Sequence, residues 1–151
     1  DRVAITRETF PEVPPVTRSC FIIDPTLPLG LIANTAAILS LSLGAAHPHL
    51  IGPDVTDGDG DSHVGITQVV LPILAADADN LRALRARAAG HRTEGLMLVD
   101  VTQTAQRAKA YQDYADRLSV MNNNDIRYFG IGLHGPAGLV RSLTGHLPLM
   151  K

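Results

Sequence analysis

Cysteine and lysine are nearly missing: Cys20 is the single cysteine, and Lys109 and Lys151 are the two lysines, in 151 residues. A lone cysteine excludes a disulfide framework within the chain. Its position inside the apolar run Ser19 to Ile23 reads as a core thiol rather than a nucleophile, which fits a reducing, cytoplasmic compartment. Cationic charge is carried by arginine instead, and 13 basic against 15 acidic residues leave a net charge of −2. That balance lacks the surplus of positive charge expected of a surface for nucleic acid or anionic membrane. No apolar run is read as reaching the roughly 18 to 20 residues that span a bilayer, and no signal-peptide pattern opens the chain, so no membrane partner is expected. Repeats and low-complexity tracts are missing too. Arginine in place of lysine, with abundant alanine, suggests a GC-rich bacterial genome.

Apolar residues make up 45% of the chain, enough at this length to bury one core without covalent staples. Ser19 to Ile23 favours a β-strand and ends in Asp24; Pro25 and Pro28 then stop the ladder and preset the entry to a helix near Leu29. Up to Gly44 that helix has almost no polar face, Asn34 and Thr35 being the polar groups of its first turns. It should be buried on most sides or covered by a partner subunit, as in a homodimer. Residues 1–17, with Pro11, Pro14 and Pro15, read as an extended arm with one short edge strand at Val3 to Thr6, and 18–151 as a single domain.

Further along, Asp54 to Gly65 is dense in turn dipeptides and predicts a hairpin or exposed loop. Thr67 to Leu74 reads as a strand carrying Pro72. Asp77 to Ala89 reads as a helix capped by Asp77, with Leu81, Leu84 and Ala88 inward. Leu96 to Val99 is an apolar strand ending in Asp100, Thr102 to Leu118 an amphipathic helix, Ile126 to Ile131 the last strand, Gly132 to Gly135 a turn and Pro136 to Leu143 a closing helix. Strands alternating with helices predict a three-layer α/β/α domain with a mixed, mostly parallel sheet of about four or five strands.

Several motifs could carry chemistry. Gly130 to Gly135 spells G-x-G-x-x-G, but too little chain follows for the second half of a dinucleotide site; its glycines could still let backbone N–H groups approach an anion, with Gly135 as a binding residue. Asp57, Asp59 and Asp61 have calcium-loop spacing, yet Ser62 stands where glycine is required and Gln68 where glutamate is, so a solvated turn is the better reading. His47, His49 and His63 could meet a metal, although their spacing does not establish one; no metal and no cofactor are expected. The pattern that weighs most is topological. Parallel strands end on one rim, which would gather Asp24, Asp100 and His134 as acid–base groups around the amide of Asn34, with Thr35 and Thr102 as further binding groups. Helix capping is the alternative role for the two aspartates, and an antiparallel last strand would send His134 to the opposite end.

The strand–Asp–apolar helix start with small residues at Ala33, Ala36 and Ala37, the strand-plus-acid Leu96 to Asp100, and the ending Gly130 to Leu149 resemble the type II peptidyl-tRNA hydrolase fold. Beyond the arm, Asp24-Pro25 with Leu-Pro-Leu-Gly, the Ala-His-Pro-His-Leu-Ile-Gly-Pro-Asp segment and Gly-His-Leu-Pro-Leu resemble more closely a bacterial family, domain of unknown function two thousand, grouped with that fold. The resemblance implies the fold; the hydrolase chemistry is less well matched. Leu31 stands where the hydrolases have lysine after Gly30, Asn34 or Thr35 stands near their glutamine, and after Asp100 the segment Val101, Thr102, Gln103 diverges before what reads as an inserted helix. Without that lysine, and with an acidic balance, tRNA is not expected as a partner. Three functions follow as expectations: a small-molecule enzyme using acid–base or hydrolytic chemistry, a peptidyl-tRNA hydrolase cleaving an ester, or a non-catalytic ligand-binding or assembly protein.

Overall fold

The structure, a computed structural model, describes residues 16–151, so the arm strand expected at residues 3–6 lies outside the described residues. In chain order the elements are β1 (Thr17–Ile23), α1 (Leu29–Ala46), β2 (Val55–Thr56), β3 (Ser62–His63), β4 (Ile73–Ala75), α2 (Ala78–Ala89), β5 (Met97–Thr102), α3 (Gln103–Arg107), α4 (Tyr111–Ser119), β6 (Tyr128–Pro136) and α5 (Ala137–Thr144). The main sheet has the order β4-β1-β6-β5, while β2 and β3 form the separate hairpin read from the turn-rich segment. β1 runs parallel to β4; β6 lies between β1 and β5 and is antiparallel to both. The sheet is mixed: β1, β4 and β5 share a direction, but β1–β4 is its single parallel pair, because the last strand inserts in the opposite sense.

Strand alternation divides the core into two layers. Phe21 and Ile23 of β1, Val101 and Phe129 face α1, where they meet Leu39 and Leu43. Cys20, Ile22, Ile131 and Leu133 face the other way, against Leu81, Leu84 and Ala88 of α2 and Val140 and Leu143 of α5. The result is the expected α/β/α order. Burial pushes the Cys20 thiol up from its ordinary value, opposed in part by a bond to Thr144 and the charge of Arg18, so it stays a protonated core group.

α1 differs from its expectation. It buries only Thr35, Leu39 and Leu43, and leaves Leu29 82% and Leu41 77% exposed. At 18 residues with mean hydropathy 1.7, it is also long and apolar enough, by length and composition, to cross a membrane, where the sequence reading found no such run. Three further segments depart from expectation. Thr67 to Pro72 is not a strand; β4 begins after Pro72, which lacks the N–H a ladder needs but whose carbonyl accepts from Phe21 N at 2.9 Å. The helix expected over 102–118 is two helices, because Ala108 is extended (φ −73, ψ 144) and Asp113 reaches back to accept from Lys109 N at 3.1 Å.

The third departure is the glycine motif, which is strand rather than turn, since β6 runs unbroken from Tyr128 to Pro136. Its glycines answer a packing demand. A Cβ on Gly130 would stand 2.7 Å from Thr35 Cγ2, and one on Gly132 would stand 2.9 Å from Val99 Cγ1. Only hydrogen at these positions lets α1 and its neighbours settle on the sheet.

Candidate functional site

The predicted rim is not assembled as one site. Asp100 falls inside β5 rather than at its end, and β6, being antiparallel, carries His134 to the edge where β1 starts, in register with Ser19 and Met97. Asp24 stays at the far end of β1. It is 1% exposed, and its Oδ1 accepts from Thr26 N at 2.9 Å and Thr26 Oγ1 at 2.7 Å. Arg127 Nη2 lies 3.7 Å from the other oxygen. These bonds close the Asp24–Leu27 turn; the N-cap of α1 is Pro28, with no side-chain cap. Asp24 is therefore a turn-closing group, neither at the cavities described below nor a helix cap. Thr35 packs beneath Gly130, and Thr102 caps α3 by accepting from Ala105 N at 3.1 Å. Both are buried, so neither is placed to bind a substrate.

Asn34 and Asp100 line adjoining cavities. β5 is an edge strand, and the α3–α4 segment folds back along its outer side, leaving a channel against α1. One part, about 500 Å³, is lined by Ile38, Ser42, Asp100, Lys109, Tyr111 and Tyr114 among others. The adjoining part, about 430 Å³, holds Asn34, Leu31, Gln106 and Phe129, and shares Ile38, Val101 and Ala105 with the first. The channel is mostly apolar with a few polar groups, the usual make-up of a small-ligand site. Asp100 is held from the α2 side by Arg85, whose Nη2 lies 3.4 Å from Oδ2, both side chains being largely buried. The Arg85 guanidinium in turn sits 5.2 Å from the centre of the Tyr128 ring. Tyr114 holds its phenol proton above the ordinary range, chiefly through burial and then through the negative charge of Asp100, so it stays protonated at neutral pH.

A second cluster lies at the opposite end. Ser19 and His134 Nδ1 are hydrogen-bonded at 2.7 Å in a buried pair. The His47 ring, at the C-cap of α1, lies tilted over His134 with centroids 4.1 Å apart, and His49 stands edge-on to His47 at 5.7 Å. These three imidazoles line a cavity of about 540 Å³ with Thr17, Gly95, Gly135 and Pro136. Burial, then the neighbouring imidazoles, lowers the pKa of His134, and the same two causes lower that of His47. Gly135 is needed here for space, since a Cβ would stand 3.0 Å from the Gly95 carbonyl oxygen.

The hairpin takes His63 elsewhere. It bonds Asp57 Oδ2 at 2.8 Å, while Asp57 Oδ1 accepts from Asp59 N and Asp61 N, which makes the acidic spacing a turn device. The juxtaposition of Ser19 and His47 with His134 was missed in the sequence. Its signal was available only through strand direction: once β6 is set antiparallel to β1, Ser19 and His134 become cross-strand partners.

Comparison with known proteins agrees with this fold and adds no activity. A model of a family of proteins of unknown function, DUF2000, matches residues 17–151. A solved protein of unknown function from Agrobacterium tumefaciens shares the fold with a TM-score of 0.82 at 17% identity, over 90% of this chain and 98% of that one. No curated protein matches.

Proposed function

The chain belongs to the DUF2000 family, and within it we propose a small-molecule enzyme that works by acid–base or hydrolytic chemistry in the β5 groove. The observation that carries this reading is Asp100, a carboxylate paired with Arg85 beside a channel that Lys109 and Tyr114 also line. Asp100 is the group that takes a proton, from substrate or from water, and Tyr114 the one that gives it. The amide of Asn34 and the ammonium of Lys109 orient a polar substituent, and Ile38, Val101 and Phe129 take up apolar bulk. A tRNA ester would be one member of the same reaction class. The discriminating experiment is a thermal-shift screen of metabolites, with tRNA included, on the wild type, Asp100→Asn and Tyr114→Phe. A ligand at about 100 times its Kd stabilises the fold by about 2.7 kcal/mol. The reading requires a small molecule that protects the wild type and loses most of that protection in Asp100→Asn; equal protection of both proteins sinks it.

The uncovered face of α1 favours one addition, a homodimer. Leu29 and Leu41 are exposed on a helix that carries no charged residue, which is the composition of a surface meant to be covered. Sedimentation of the wild type beside Leu41→Glu tests it: dimer for the first and monomer for the second, whereas a monomeric wild type refutes it.

A further inference from the structure

We propose that His47, His49 and His134 bind a divalent transition metal of the zinc type in the cavity at the opposite end of the sheet from Asp24, with a coordination position left open to that cavity. The three imidazoles come from different elements, the cap of α1, the turn Pro48–Leu50 that follows it and the strand β6. They nevertheless line one cavity. A chain with six histidines in 151 residues has little reason to place three there for packing alone.

The geometry around His134 is that of a ligand already oriented. Its side chain is 5% exposed, and Nδ1 is engaged by the Ser19 hydroxyl at 2.7 Å. With the proton on Nδ1 and donated to Ser19 Oγ, the lone pair is on Nε2, the nitrogen without a hydrogen-bond partner among the described residues. A hydrogen bond on one ring nitrogen that fixes the tautomer and frees the other is the usual support of a metal-binding histidine. The spacing of His47 from each of the other two rings is within about an ångström of what one ion needs. Two imidazoles on one tetrahedral ion, with metal–nitrogen distances of about 2 Å, have centres roughly 5 Å apart. The separations of 4.1 Å between His47 and His134 and 5.7 Å between His47 and His49 lie on either side of that value. The rings are not yet closed on one point: among the described residues, only Asp57, Asp61 and His63 on the exposed hairpin offer three ligand atoms within 4.8 Å of one another. Closing the site requires half-buried His47 and exposed His49 to turn about their side-chain bonds toward buried His134.

Nitrogen-only donors select the metal class. Neutral imidazoles suit zinc, cobalt, nickel and copper, whereas calcium and magnesium need oxygen ligands. Three protein ligands with a cavity at the fourth position is the arrangement of a site that keeps water or a substrate atom on the metal. This site is independent of the groove and stands or falls separately from the function assigned to Asp100.

The test is titration of the untagged, chelator-treated full chain with Co2+ and Zn2+, reading the visible ligand-field bands of Co2+ and the heat of Zn2+ binding. The expected result is one ion per chain, with affinity lowered by about 100-fold in His49→Ala and by about 10- to 100-fold in Ser19→Ala. His49 is exposed, so its loss does not threaten folding, and His63→Ala serves as the control for the hairpin group. Binding unchanged in His49→Ala, binding lost in His63→Ala, or no stoichiometric binding by the wild type would each overturn the proposal.

Discussion

Asp24 and His134 are both buried polar groups at the margin of the same sheet, one beyond the end of β1 and the other beside its start, and their bonding capacity is used in different ways. Asp24 spends one oxygen on the turn with Thr26; the other is buried without a hydrogen-bond partner among the described residues, 3.7 Å from Arg127 Nη2, and borders none of the cavities described above. His134 spends one nitrogen on Ser19 and presents its ring to a cavity beside two further imidazoles. Burial alone does not distinguish a structural group from a functional one. What distinguishes them is whether bonding capacity remains on the side that faces open space. Asp100 falls with His134 by this criterion, since Arg85 holds it from behind while its other side borders the groove.

The comparison is sharpened most by function. With the ligand from the thermal-shift screen as substrate, Asp100→Asn should lower turnover by about 100-fold or more, the scale of a lost general acid–base group, while Asp24→Asn should leave turnover of the folded fraction nearly unchanged. Steady-state rates on both variants check this, and an equal loss in the two would erase the distinction. Next in size, Asp24→Ala should destabilise the fold by about 2 to 3 kcal/mol, because the Thr26 N–H and hydroxyl lose a buried acceptor; urea denaturation measures it. Gly130→Ala should cost about 1 to 2 kcal/mol by pushing a methyl group onto Thr35 and the Ile22 carbonyl, with the same readout.

The smallest effect is one of pH. Tyr114 and Tyr128 hold their protons above the ordinary value of 10.0, mainly through burial. The folded chain therefore binds these protons more tightly than the unfolded chain does. Their contribution is complete below pH 10 and is lost as pH rises through the folded values. Tm should accordingly fall above pH 10, and less steeply in Tyr114→Phe than in the wild type.

Local chemistry was legible in the sequence and long-range direction was not. The proline-bounded start of α1, the Asp77 cap and the inward stripe of Leu81, Leu84 and Ala88 are fixed by neighbours a few residues away, and the structure has them as read. Strand alternation with helices likewise conveyed the three layers. The sense of β6 was beyond reach, because an apolar strand reads the same in either direction and one of its partners, β1, lies more than 100 residues upstream. His134 left the carboxylates with that sense, Gly132 to Gly135 became strand rather than turn, and Ser19 acquired a partner that no spacing suggested. Within α3–α4, Ala105 and Ala108 kept the helical period, so the break at Ala108 was visible only as the bond from Lys109 N to Asp113.

The late arrival of β6 also has a kinetic consequence. It separates β1 from β5, yet it is the last strand in the chain, and the Ser19–His134 contact spans 115 residues. Synthesis proceeds from the other end, so β1, α1 and β5 exist before the strand that joins them, with two open edges and an apolar helix waiting. Such contact order slows folding and lengthens the time for which sticky surfaces are bare. The nascent protein is thus most prone to aggregate just before residues 128–136 emerge and slot between their neighbours.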